Sequence, residues 1–186
     1  SATEEQFLEV KVNPARARKL AEAEESIDRR QREVTDYLVQ ITRRQLTEPQ
    51  SELVPILMHC TNDAERLADH TENILKLTER LTRVEKKLSH TGMKEIRRLL
   101  EELGHQAENV IKALGSTDAE QVKFALKSDR KIGKLAEEFE NNHIDRLRKN
   151  GCSLPASIIY VEMLGELEGV GASLANIAER TPELQK

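Results

Sequence analysis

The chain has 186 residues, of which 33% are charged and only 3% aromatic, and its formal net charge is −4. That length supports one compact domain, or two small repeats sharing a core, burying roughly 70% of the surface the unfolded chain exposes. The acidic balance argues against a dedicated nucleic-acid binder, because neutralising phosphates needs a positive surface.

Apolar spacing and capping residues predict an all-α chain of about five long helices, since 8 glycines and 5 prolines are too few to punctuate many short strands. Asn13 followed by Pro14 places a cap before a residue suited to the first helical position. The first helix runs from there to about Leu46, with Leu20, Ile27, Val34, Leu38 and Ile41 on one face. Thr47 and Gln50 pair as a capping box around Pro49 and open the second helix. Its apolar stripe passes through Leu57, Cys60, Ala64, Leu67, Ile74 and Leu81 to Leu88, with a bend or end near Gly92. The third helix carries Met93, Ile96, Leu99, Leu103, Val110 and Leu114 and stops at Gly115. Thr117 with Glu120 opens the fourth, whose seam is Val122, Ala125, Ile132, Ala136 and Phe139 and whose end is Asn150–Gly151. Ser153 caps the fifth, where Leu154, Ile158, Leu164, Leu167, Leu174 and Ile177 follow. Long helices joined by short polar turns pack as antiparallel neighbours.

An internal repeat underlies this order. Laying residues 57–74 over 160–177 pairs Glu65 with Glu168, Asn73 with Asn176 and Ile74 with Ile177. Laying the first helix over the fourth pairs Glu24 with Asp129, Ile27 with Ile132 and Val34 with Phe139. The chain therefore divides into a first repeat over residues 1–90, its opening helix shortened or absent, and a second, three-helix repeat over residues 91–186. Together they form one compact domain.

Two carboxylate pairs stand at i, i+4 spacing, Glu24 with Asp28 and Glu65 with Asp69, so each presents one acidic surface. On the second helix the pair points away from the stripe centred on Leu67, and Asn62 and Glu72 extend the polar strip. A solvated face is the ordinary reading of such acids. As ligands they suit a hard cation, Mg²⁺, Mn²⁺ or Fe³⁺, rather than zinc. A rival comes from Glu102–His105 and Glu140–His143, which have the Glu-x-x-His spacing of ferritin-like di-iron oxidases, although chance explains one or so of these in a Glu-rich chain. Asp129 and His143 fall on the apolar stripe of the fourth helix, which predicts an ion pair or hydrogen bond for each. Gly165, Gly169 and Gly171 predict that a neighbouring backbone approaches the fifth helix closely. No nucleophile triad, phosphate-cradling Gly-rich loop or Cys pair appears, so the residues point to binding rather than to an enzyme. Cys60 and Cys152 match no metal or redox spacing and suit a reducing cytosol. No signal peptide is visible, and no apolar run approaches the roughly 18 residues a membrane span needs.

The second helix also reads Glu65-Arg-Leu-Ala-Asp69-His70-Thr-Glu72-Asn73-Ile74. This block resembles the motif of the PhoU family, usually written Glu-Arg-Ile-Gly-Asp-His-Ala-Glu-Asn-Ile. The resemblance implies two three-helix repeats, a role in regulating phosphate uptake, and metal sites built from Glu/Asp-x-x-x-Asp pairs on neighbouring helices. Glu24, Asp28, Glu65 and Asp69 match those pairs in the first repeat. In the second, Glu168 is followed four residues on by Ala172 and Asp129 by Gly133, so a second site of that type is not expected. Thr47–Ile74 looks most like the cytosolic PhoU-like tail of bacterial Na⁺/phosphate cotransporters, and a chain that starts Ser-Ala-Thr without Met fits such a tail. The implied partner is then the membrane portion of a transporter or the phosphate-uptake machinery, at the inner face of the plasma membrane. A free-standing PhoU-type signalling regulator is the alternative, and an exposed apolar patch on the fifth helix would point to a homodimer.

Overall fold

The computed structural model describes residues 14–83, 88–116, 119–149 and 152–184. Within them the chain forms α1 (Pro14–Thr42), α2 (Glu48–Arg83), α3 (His90–Gly115), α4 (Ala119–Arg148) and α5 (Leu154–Leu184). The all-α, five-helix expectation holds. α1 stops at Thr42, short of Leu46, in a turn where the Arg44 amide donates to the Ile41 carbonyl. The Thr47 amide donates to Gln50 Oε1 at 3.0 Å, one half of the expected capping box. Ser89 caps α3, its hydroxyl accepting from the Gly92 amide. Ser153 precedes α5, but its hydroxyl finds no partner among the described residues. Asn13, Val84, Thr117, Asn150 and Gly151 lie outside the described residues.

The helices pack as a hairpin, α1 on α2, and a three-helix bundle of α3, α4 and α5, joined along the broad α2–α5 interface. One apolar core runs through both parts, from Ile74, Leu77 and Leu81 of α2 to Ile96 and Leu99 of α3, Ile132 and Phe139 of α4 and Ile159, Met163 and Leu167 of α5. Gln106 of α3 is buried in this core and donates to the carbonyls of Ala125 and Gly171, tying three helices at one level.

A polar network crosses the same bundle. Arg146 of α4 grips Glu95 of α3 through two hydrogen bonds of 2.9 and 2.6 Å, and the Tyr160 hydroxyl of α5 donates to the same carboxylate at 2.5 Å. Burial and the Glu95 carboxylate push the Tyr160 hydroxyl well above its ordinary pKa. His143 packs on the Tyr160 ring, with centroids 4.6 Å apart. It is buried as expected, but its Nε2 lacks the predicted partner among the described residues. Burial and the nearby Arg146 lower its pKa, while Glu95 opposes them. Asp129 is only half-buried, and it too has no hydrogen bond or ion pair among the described residues; desolvation raises its pKa against the pull of Arg130.

The three α5 glycines answer to side chains rather than to a neighbouring backbone. A Cβ on Gly169 would lie 2.4 Å from the His70 ring, one on Gly171 would meet Gln106 and Ile132 at 3.4 Å, and one on Gly165 would meet nothing within 4 Å. Gly169→Ala is therefore expected to cost about 1–3 kcal/mol, because His70 is held by a hydrogen bond and must yield. Gly165→Ala should instead stabilise by up to about 1 kcal/mol through helix propensity; urea denaturation of the two variants checks the opposite signs.

His143 gives a pH dependence. Its pKa is lower in the folded chain, so the unfolded chain binds the extra proton first and stability falls as pH drops below about 6.5. The urea midpoint should decline from pH 7.5 to 5.5 in the wild type and decline less in His143→Phe.

Candidate metal centre

The first two helices bring their acids together. One carboxylate oxygen from each of Glu24, Asp28 and Asp69 lies within 4.8 Å of the other two. Glu24 and Asp28 are half-buried and Asp69 is exposed, so the cluster opens to solvent on the α2 side. Glu65 adjoins rather than completes the triad: it lies close enough to feel the charges of Asp69 and Asp28. Desolvation raises the Glu65 pKa, and Asp69 and Asp28 add to the rise. Desolvation likewise leads the upward shift of Glu24, followed by Asp28, Glu72 and Asp69, with Lys76 opposing.

Polar contacts flank the cluster on either side. Gln31 of α1 donates to Asn62 of α2 at 3.0 Å at one end. At the other, Lys76 donates to Glu72 at 2.5 Å. Arg32 stands 3.6 Å from Asp28 Oδ2. The other oxygen, Asp28 Oδ1, is buried without a hydrogen-bond partner among the described residues. A desolvated carboxylate oxygen without a partner, on a residue grouped with two other acids, is the kind of donor a hard cation takes up, so the residues fit the oxygen-ligated ion that their spacing implies.

His70 follows Asp69 but turns to the other side of α2. Its Nδ1 meets Glu166 Oε2 of α5 at 2.7 Å, and Asn73 Nδ2 lies 3.4 Å from both oxygens of the same carboxylate. One stretch along the interface, Asn176 of α5 donates to Asp63 of α2 at 3.0 Å, and Arg180 adds a second bond at 3.2 Å. In the repeat alignment Asp63 falls on Glu166 and Asn73 on Asn176, so the two contacts are reciprocal. Their partners Asp63, Glu166 and Arg180 were not singled out in the sequence, although the Asn73–Asn176 identity was the signal that could have found them.

In the second half the counterpart site is open. Gly133 stands where the first half has Asp28, and Glu168 comes within 3.4 Å of where its Cβ would be. A cavity of about 550 Å³ lies there between α4 and α5, lined by Arg130, Lys134, Glu137, Glu140 and Glu168 among others. The residues of the di-iron alternative are not gathered. Glu102 is paired with Lys131, His105 and Glu140 are exposed, and His143 is packed on Tyr160. Among the described residues, no other group of three His, Cys, Asp or Glu stands close enough to share an ion.

The five described helices, with a carboxylate cluster between the first two, define an all-α helical-bundle protein. The PhoU domain model matches residues 7–78 and again 96–181, and the chain belongs to the PhoU family. It is 24% identical, over 90% of its length and 72% of the relative's, to the phosphate-specific transport system accessory protein PhoU homolog 1 of Thermotoga maritima. The crystal structure of PhoU from Pseudomonas aeruginosa superimposes with a TM-score of 0.83 at 18% identity, covering 99% of this chain and 90% of that one, and shows the same fold.

Four acids in one place cost stability when all are charged. Glu24 and Glu65 hold protons more tightly in the folded chain than in the unfolded one, so their penalty grows as pH rises through the folded pKa and is relieved below it. Asp69→Asn should raise the thermal midpoint at pH 7.5 in chelator by about 2–4 °C, and the gain should shrink in 1 M salt, which screens repulsion beyond about 3 Å. Calorimetry at two ionic strengths measures both.

Proposed function

We propose that the chain regulates phosphate uptake as a PhoU-type accessory protein, acting by binding rather than by catalysis, with a hard cation held between α1 and α2. Family membership supports the phosphate role, and the T. maritima relative bears the name of an accessory protein of a phosphate-specific transport system. The observation that carries the metal is the orphaned Asp28 Oδ1 beside Glu24 and Asp69. Those three residues would hold Fe³⁺, Mn²⁺ or Mg²⁺, with Glu65 beside them. The ion supplies positive charge that turns mutual repulsion into a cross-link between α1 and α2.

The accessory form is favoured over a symporter tail, because the proteins this chain resembles along most of its length are themselves PhoU proteins. The tail reading rests on the Thr47–Ile74 block. In either form the partner is the phosphate-uptake machinery, met at the cytoplasmic face of the membrane. No described helix is long and apolar enough to cross a membrane. Repeats over residues 1–90 and 91–186 are supported by the two family matches and the reciprocal suture. The exposed row Leu154, Ile158 and Val161 on α5 supports self-association.

Two measurements test the reading. Mn²⁺ or Fe³⁺ should raise the thermal midpoint of the wild type and leave that of Glu65→Ala/Asp69→Ala unchanged. Cells carrying the double variant at wild-type abundance should lose the phosphate-dependent restraint on uptake of labelled phosphate. Normal restraint would remove the carboxylates from the mechanism.

A further inference from the structure

One terminus of every described helix comes to the same end of the bundle. Arg80 of α2 meets Glu162 of α5, and Arg146 of α4 and Tyr160 of α5 meet Glu95 of α3, so α2 and α4 finish where α3 and α5 begin. Gln31 meets Asn62 while Glu24 meets Asp69, so α1 runs antiparallel to α2 and starts beside its end. The eight residues of each helix nearest this end (14–21, 76–83, 90–97, 141–148 and 154–161) carry 10 Lys and Arg against 3 Asp and Glu. The eight nearest the opposite end (35–42, 48–55, 108–115, 119–126 and 177–184) carry 3 against 7. A chain with a net charge of −4 thus has one basic end.

Part of this asymmetry is ordinary. Arg80, Arg83, Arg146 and Arg148 suit helix C-termini, and each is paired, with Glu162, Glu79, Glu95 and Asp145 in turn. The three N-termini are not ordinary. A helix start favours acids, yet α1, α3 and α5 have none in their first turns. Their first eight residues hold five of the bases and a single acid, Glu95, which is buried and spent on Arg146 and Tyr160. Lys19, Lys94 and Arg97 are exposed and have no ion pair among the described residues. Helix stability gains nothing from bases placed there, so their charge is left for something outside the bundle.

The pattern fits an anionic sheet. The bases are spread over the ends of four helices rather than ranged along one groove, which matches a surface of many charged headgroups. The remaining helix, α5, brings no charge to this end but exposes Leu154 by 67%, with the exposed Pro155 beside it. An apolar side chain among bases enters a lipid interface, whereas a phosphodiester backbone offers it nothing. The acidic opposite end is repelled by the same surface, so the field turns the chain one way round. We propose that this basic end is a membrane-docking surface, laid on anionic lipid headgroups with Leu154 in the interface. The inference deepens the reading above, which rests the partner at the cytoplasmic face, by adding direct contact with lipid. Its test contains no transporter, phosphate or metal, so the two fail separately.

In a flotation gradient the full chain should rise with vesicles of equimolar phosphatidylglycerol and phosphatidylcholine, stay behind with pure phosphatidylcholine, and be released by about 1 M salt. Each base near an anionic surface strengthens binding about fivefold. Lys19→Gln/Lys94→Gln/Arg97→Gln should therefore weaken it by at least about tenfold. All three positions are exposed, and an unchanged circular dichroism spectrum confirms that the variant folds. Arg43→Gln/Arg44→Gln/Lys112→Gln removes the same charge from the opposite end and should bind as the wild type does. Leu154→Gln should weaken binding about threefold or more. No binding to the anionic vesicles overturns the proposal and leaves the bases to an acidic protein partner. Equal weakening by the two triple variants would reduce the effect to net charge and overturn it too, as would undiminished binding of Leu154→Gln.

Discussion

Consecutive residues of an α-helix project about 100° apart, so one long helix can serve two neighbours with adjacent side chains. α2 is built this way. Asp69 joins the acids of α1, and His70, the next residue, binds Glu166 of α5. The packing of α2 on α5 holds the two halves together, and it fixes the rotation of α2 about its own axis. That rotation decides whether Glu65 and Asp69 face Glu24 and Asp28 or open water. Gly169 is part of the same constraint, since any side chain there would push the His70 ring off its seat.

The fold treats its buried acids unequally. Asp63 and Glu95 are the buried carboxylates among the described residues, and each is saturated: Asp63 by Asn176 and Arg180, Glu95 by Arg146 and Tyr160. Removing one partner from such a buried pair costs about 3–5 kcal/mol, because the survivor keeps its desolvation penalty. The half-buried Asp28 is handled differently. One oxygen faces the exposed Arg32 at a distance worth little, and the other is buried with no hydrogen-bond partner among the described residues. A chain that saturates its carboxylates elsewhere leaves this oxygen without a hydrogen bond among the described residues, and that contrast sets the cluster apart from its other acids.

Helix number, order and approximate ends were legible because they depend on local patterns, such as apolar period and Gln50 turning back to Thr47; α3 does end at Gly115, but through Ser116 in extended backbone rather than the left-handed glycine stop expected there. The acidic cluster was legible for a related reason, since i, i+4 spacing and one apolar stripe fix which way Glu65 and Asp69 point. Illegible were the contacts that depend on which helix meets which at what height. Glu95, Arg146 and Tyr160 are scattered through 66 residues of sequence, and nothing local marks them as one network. The expectations for His143 and Asp129 failed by assuming that a polar residue on an apolar stripe must be paired. His143 is accommodated by ring packing, with its charged form suppressed, and Asp129 by staying half in solvent. The glycines of α5 were read as making room for backbone, whereas Gly169 and Gly171 make room for His70, Gln106 and Ile132.

The two halves have diverged along a physical line. In the second, Asp28 and Asp69 are replaced by Gly133 and Ala172, which removes the repulsion and leaves a cavity. There the stability comes from a closed three-helix core, with Ile132, Phe139, Ile159 and Met163 almost fully buried. The first half keeps its charges and has only two described helices to carry them, so it buries less and repels itself more. A ligand that binds the folded form stabilises most where intrinsic stability is least. An ion held at the carboxylates would act on this weaker half, at the acids that α1 and α2 bring together.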